Sequence, residues 1–148
     1  MRRKDARKMM EEAKALLTVG NEGPFSQAEL EDGTTVYIAN DIVLLVRRDD
    51  LLFPTLINPV INNMPSAVID MGAIPYVCNG ADVMAPGIKK VQGEFTENSI
   101  IVIKDIKYGK ALAIGQAIHS SSDIREMEKG KAIKTLHHVG DKLWSLIS

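Results

Sequence analysis

Few residues in this sequence carry reactive side chains. The histidines are His119, His137 and His138, and Cys78 is the single cysteine. His137 and His138 are adjacent in a β-type run. Their side chains therefore point to opposite faces of a strand and cannot share a metal ion. No Cys-x-x-Cys, His-Glu-x-x-His or phosphate-loop pattern occurs. A serine or threonine without a paired base is a poor nucleophile, and no such pairing is visible. Cys78 reads as a small apolar helix residue. These residue types predict no enzyme, no metal site and no cofactor.

Binding chemistry has more to work with. Gly72, Gly80, Ala81, Ala85 and Gly87 carry almost no side chain, and Lys89 and Lys90 follow them directly. Pro75 has no N–H and suits the first turn of a helix starting near Gly72. Asn79-Gly80 stops that helix through a left-handed C′ residue. Ala81 to Met84 reads as one small strand. Pro86-Gly87 carries a type II turn signal, with positive φ expected at Gly87. Two readings follow. The small residues seat a helix tightly on a barrel, or they leave a groove for a flexible polar ligand such as RNA. Spacing alone favours the first, because fold rules do not specify function.

The elements that must position this stretch follow from the whole chain. Its 148 residues suffice for one ordinary domain or two small ones, and 25% charged with 45% hydrophobic residues is a globular composition. No apolar run approaches the roughly 20 residues that span a bilayer. The basic N-terminus runs into an amphipathic segment and does not read as a secretory signal. A lone cysteine fits a reducing compartment. Residues 1–65 hold 8 Lys+Arg against 10 Asp+Glu, and residues 66–148 hold 10 against 9, so the halves carry −2 and +1. Bulk basicity does not announce nucleic acid, and any RNA must be held by local clusters.

Arg2, Arg3, Lys4, Arg7 and Lys8 begin the chain and read as a solvated helix entry or as a phosphate-contacting arm. Ala6, Met9, Met10, Ala13, Leu16 and Leu17 form one stripe at helical period, ended by Gly20. Thr34–Ala39 and Ile42–Arg47 flank Asn40-Asp41 and predict a hairpin, the second strand buried on both faces. Asp49-Asp50 makes a further turn into Leu51–Phe53, and Asn58 is placed to cap a short helix with Pro59 at its first position. Pro65 looks like a domain boundary. Ala67–Asp70 and Ser99–Lys104 read as strands.

Ala111 to Ile118 alternates large and small. Leu112, Ile114, Gln116 and Ile118 share one parity, and Ala111, Ala113, Gly115 and Ala117 the other. That suits a tightly curved small barrel with a neighbour pressed on the small face. Ser120 and Asp123 fit a capping box for a helix that Gly130 closes. Ala132–Val139 reads as the last strand, Gly140-Asp141 as a turn, and Trp144 as a core plug rather than a base-stacking platform.

The pattern Gly72-Ala73, six residues, Gly80-Ala81-Asp82, three residues, Pro86-Gly87-Ile88 resembles the start of a PUA domain, an RNA-binding module. Lys110–Ile118, Ser121–Ile124 through Gly130, and Ile133–His137 with Leu143-Trp144 resemble its successive segments. Upstream, Ile42–Val46 and Phe53-Pro54-Thr55-Leu56 resemble the N-terminal domain of the malignant T-cell-amplified sequence family, shared with ligatin. The chain looks like an archaeal member, with both domains in order from about Asp32. Asn58-Pro59 departs from the continuous helix of relatives.

The resemblance implies an α+β chain, a small N-terminal α+β domain (1–65) packed on a C-terminal PUA-type β pseudo-barrel (66–148). It implies RNA binding in cytoplasmic translation, at the small ribosomal subunit or tRNA, in initiation, reinitiation or recycling. Eukaryotic relatives pair with density-regulated protein. An accessory subunit for tRNA or rRNA modification is the alternative, and a protein-interaction module is a third. Matched residue by residue, the RNA-binding positions are Gly80, Ala81, Pro86 and Gly87, with Lys89, Lys90 and Lys134 as phosphate contacts. Small residues edged by lysine suit a short single-stranded end beside a duplex, the shape of a tRNA acceptor terminus. PUA domains like this one bind such ends.

Overall fold

The computed structural model describes residues 26–147. The basic run and the helical stripe expected before Gly20 lie outside the described residues. The chain forms two compact units, one through Asn62 and one from Asn63 to Leu146.

The first unit carries an antiparallel meander of β1 (Ser26–Glu29), β2 (Thr35–Ala39), β3 (Ile42–Arg48) and β4 (Leu51–Pro54), in that order. Both predicted turns are present. Asn40 and Asp41 have φ of 52° and 64°, and Asp49 and Asp50 have 52° and 65°. Paired positive φ values match the twist of flanking strands, and Asn and Asp tolerate them best after glycine. Leu44, Leu45 and Val46 are consecutive and buried, so the middle of β3 is covered on both faces, whereas Ile42 is exposed. Asn58 caps the 3-10 turn Pro59–Asn63: its Oδ1 accepts the Val60 N–H at 3.0 Å, and its Nδ2 donates to the Leu44 carbonyl at 3.0 Å.

The second unit is a six-stranded sheet in the order β6-β10-β9-β8-β5-β7. Its elements in chain order are β5 (Ser66–Ile69), α1 (Ile74–Val77), β6 (Val83–Met84), β7 (Ile88–Gln92), β8 (Ile100–Asp105), β9 (Ala111–Ala117), α2 (Ser121–Glu126), β10 (Lys131–His138) and α3 (Lys142–Ile147). All pairings are antiparallel except β5 with β8. The core gathers Ile69, Val77, Val83, Ile101, Ile103, Ala113, Ala117 and Ile133, all buried.

The alternation in β9 has its predicted cause. A Cβ on Gly115 would stand 2.5 Å from Ile133 Cγ2, 3.0 Å from the Lys134 carbonyl oxygen and 3.1 Å from Ile103 Cδ1. Neighbouring strands therefore press on the small parity. Ser120 caps α2, its Oγ accepting the Asp123 N–H at 3.2 Å. Arg125 ties the helix to the loop after β7, donating to Glu94 at 2.8 Å and to the Gly93 carbonyl at 2.9 Å. The Ser121 hydroxyl first, and Arg125 second, hold the Glu94 carboxyl below the usual range.

Some local readings are corrected. The span of α2 ends at Glu126, and Gly130, at φ +97°, lies beyond it, just before β10. The chain after Asp141 continues as α3, where Leu143 is buried and Trp144 is only half-buried, so Leu143 is the plug.

Candidate nucleic-acid interface

The stretch Gly72–Ile88 is held by two carboxylates, Asp70 and Asp82. Asp70 Oδ1 accepts the Ala73 N–H at 2.8 Å and starts the turn into α1, with Pro75 in the helix's first positions. Its Oδ2 lies 3.7 Å from Lys89 Nζ. Its own N–H donates to the Gly87 carbonyl at 2.9 Å. Asp82 does the same work at the other end. It accepts the Thr135 N–H at 3.1 Å and stands 3.4 Å from Lys131 Nζ. Thr135 lies beyond the last β6–β10 pair, Ile133 with Val83, so its N–H meets the Asp82 carboxylate in place of a strand carbonyl.

Gly80 closes α1 as the sequence predicts. Its φ is +92°. Its N–H donates to the Val77 carbonyl at 3.0 Å and the Ala81 N–H to the Tyr76 carbonyl at 3.0 Å, which together form a Schellman motif. Thr135 Oγ1 then donates to the Ala81 carbonyl at 2.8 Å. The N–H groups of Gly80 and Ala81 are thus spent internally. What these two exposed residues offer a ligand is an absence of side chain, not free donors.

Pro86-Gly87 does not form the expected type II turn. Ala85–Gly87 is a 3-10 turn, and Gly87 is not among the glycines with positive φ. Glycine serves there by close approach: a Cβ would stand 3.2 Å from Ala73 Cβ. The turn is pinned at both ends, by Ala85 N–H to the Gly130 carbonyl at 2.8 Å and by the Asp70–Gly87 bond.

The predicted residues fall into two neighbouring groups. Gly80 and Ala81 sit beside β10, which carries exposed Lys134. Gly87 and Lys89 sit beside Asp70 and Ala73, with Pro86 exposed on the joining turn. Lys89 and Lys90 both lie on β7, a strand at the sheet's edge that the sequence had not marked, and both are exposed. Lys89 is the extra residue where the β5–β7 register shifts. Its half-exposed pair with Asp70 is worth little, so the ammonium can turn to an incoming phosphate at small cost.

Sequence reasoning passed over three residues here. Tyr76 is 69% exposed, so the helix that Gly80 closes carries an aromatic side chain open to solvent. The Asp70–Ala73 turn was readable, since an Asp side chain readily accepts a nearby backbone N–H and starts a turn. His138 was not. A Cβ on Gly80 would lie 3.6 Å from its Nε2, while its Nδ1 lies 2.8 Å from the Val139 carbonyl. A carbonyl only accepts, so in the neutral ring the proton is on Nδ1 and Nε2 faces the Gly80 side as an acceptor. Asp141 fixes this end of β10. It accepts the His138 N–H at 2.9 Å, the Trp144 N–H at 2.7 Å and buried His137 Nδ1 at 2.9 Å. Burial works to raise the Asp141 carboxyl, but those hydrogen bonds, led by His137, outweigh it and hold it below the usual range. Among the described residues no group of three or more His, Cys, Asp or Glu could hold a metal ion, and no helix is long and apolar enough to cross a membrane.

A curled sheet closed by a small helix, a glycine-stopped turn and a pinned Pro-Gly corner make the second unit a PUA domain, and the PUA domain family model matches residues 65–139. The chain belongs to the PUA-containing family of the malignant T-cell-amplified sequence and translation machinery-associated proteins. An uncharacterized protein of Methanocaldococcus jannaschii is 34% identical over 78% of this chain and 73% of its own length. Translation machinery-associated protein 20 of Saccharomyces cerevisiae is 32% identical over 81% and 72%. The malignant T-cell-amplified sequence 1 homolog of Dictyostelium discoideum is 29% identical over 74% and 63%. The crystal structure of a hypothetical protein from Pyrococcus horikoshii superposes with a TM-score of 0.78 at 32% identity, covering 100% of this chain and 98% of that one.

Proposed function

We propose that this chain is a noncatalytic RNA-binding protein of the translation apparatus that holds a single-stranded RNA end, such as the acceptor terminus of tRNA, at the small ribosomal subunit. The observation that carries this reading is the exposed strip of small residues at Gly80 and Ala81. Exposed Tyr76 on α1 provides an aromatic face, Lys131 and Lys134 lie on β10 beside the strip, and Lys89 and Lys90 lie on β7. A nucleotide needs room for its sugar, a face to stack on and a cation for its phosphate. The names of the yeast relatives place those proteins with the translation machinery and agree with this reading. We assign residues 1–65 to an N-terminal domain and 66–148 to the RNA-binding domain. A cytoplasmic location and a partner resembling density-regulated protein go with the same assignment.

The test compares intact tRNA with tRNA trimmed of its terminal single-stranded nucleotides, at matched salt, beside purified small ribosomal subunits. The expected result is tighter binding to intact tRNA. Equal affinity for both tRNAs with retained subunit binding would move the ligand to ribosomal RNA. Failure to bind any of them would overturn the proposal.

A further inference from the structure

The β8–β9 loop has no part in the interface described above, yet it is built like a binding element. Asp105 is buried and its carboxylate accepts the N–H groups of Tyr108 and Lys110. The Asp105 carbonyl accepts the Gly109 N–H at 3.0 Å, and its N–H donates to the Lys110 carbonyl at 3.0 Å. This clamp leaves Tyr108 outside on a fixed turn, 75% exposed. The Lys107 ammonium stands 5.1 Å from the centre of its ring. Exposed Ile106 belongs to the same loop, and its N–H donates to the Ile69 carbonyl at 3.1 Å where the parallel β5–β8 pairing ends. The acid of the loop is consumed within it, while Lys104, Lys107 and Lys110 make no ion pair among the described residues.

We infer that Tyr108 is a stacking platform for an unpaired base of a single-stranded RNA, with Lys107 and Lys110 holding the adjoining phosphates. The inference rests on the proposed RNA binding and extends its site. β5 lies between β7 and β8, so Ile69 and Asp70 are flanked by Gly87 and Lys89 on one side and by Ile106 on the other. Strands are about 4.8 Å apart, so an RNA held at Lys89 crosses Asp70 and Met71 to reach the loop. Lysines without an ion pair among the described residues, on and beside a loop that presents an aromatic ring, fit a polyanion with π-faces. A protein partner would have to bring carboxylates to the same lysines.

The test measures the affinity of a short oligouridylate and of tRNA for the whole chain, with Tyr108→Ala, Tyr108→Phe and a Lys89→Glu/Lys90→Glu double variant. Tyr108→Ala is expected to weaken binding roughly ten-fold with unchanged melting and unchanged salt slope, because a stack and not a phosphate contact is removed. Tyr108→Phe should bind like wild type. Wild-type affinity in Tyr108→Ala, with loss in the lysine double variant, overturns this inference alone and leaves the patch to a protein partner. Equal loss in Tyr108→Phe overturns stacking in favour of the hydroxyl. No binding by the wild type overturns the RNA reading itself.

Discussion

Gly80 offers a test in which backbone strain and space can be separated. A Cβ there would lie 3.6 Å from His138 Nε2, an ordinary contact, so a methyl group has room. The backbone does not tolerate it. At φ +92°, an L-residue clashes with its own carbonyl, at a cost of about 1–2 kcal/mol. Rotating away would break the bonds from Gly80 and Ala81 to Val77 and Tyr76. For a domain of this size 1 kcal/mol moves the melting temperature by about 4–8 °C, so Gly80→Ala should lower it by roughly 4–16 °C. Gly80→Asn should lose less, since Asn enters left-handed conformations more readily. Trp144 is the single tryptophan and lies in the second unit, so its fluorescence follows that unit's melting. The same variants should bind RNA less tightly, because a displaced turn moves Ala81 away from Thr135. If Gly80→Ala melts like wild type, or if Ala and Asn are equally destabilising, strain at Gly80 is not what holds this turn.

Three other outcomes are expected. Lys89→Glu with Lys90→Glu should weaken RNA binding and flatten the log–log salt slope by about 1.4, at about 0.7 per phosphate on single strands; an unchanged slope in the folded variant removes both phosphate contacts. Gly115→Ala should cost about 1–3 kcal/mol by overpacking against Ile133 and Ile103, read by denaturant unfolding; a neutral result would mean that the strands yield. Asp141→Asn should destabilise the second unit at neutral pH. The Asp141 carboxyl is lower in the folded chain than its unfolded value of about 3.9. Its contribution is therefore complete above that value and is lost as pH falls through the folded one. The gap between wild type and Asp141→Asn should close on acidification, and a gap independent of pH would refute the charge-based account.

The sequence by itself determined the features whose physics is local. Asn40-Asp41 and Asp49-Asp50 form their turns because positive φ is a property of single residues and their neighbours. Gly80 ends α1 and Ser120 starts α2 through bonds that reach only a few positions. The alternation in β9 already stated that one face would be crowded. The motif around Gly72–Ile88 was specific enough to name the domain, although spacing alone favoured a tight seat over a binding groove.

Tertiary structure decided what depends on partners far along the chain. Pro86-Gly87 is compatible with a type II turn or a 3-10 turn, and the bond from Asp70 with the approach of Ala73 selects the second. In α3, where Asp141 accepts the Trp144 N–H, Leu143 is buried and Trp144 only half-buried. Thr135 meets Ala81 from 54 residues away, and His138 meets Gly80, because β10 pairs with β6 at the sheet's edge. The parallel pairing of β5 with β8 brings the start of the Tyr108 loop to the end of β5, where the Ile106 N–H meets the Ile69 carbonyl. No spacing rule joins such residues, since strand order is chosen by burial of the whole sheet and not by any one segment.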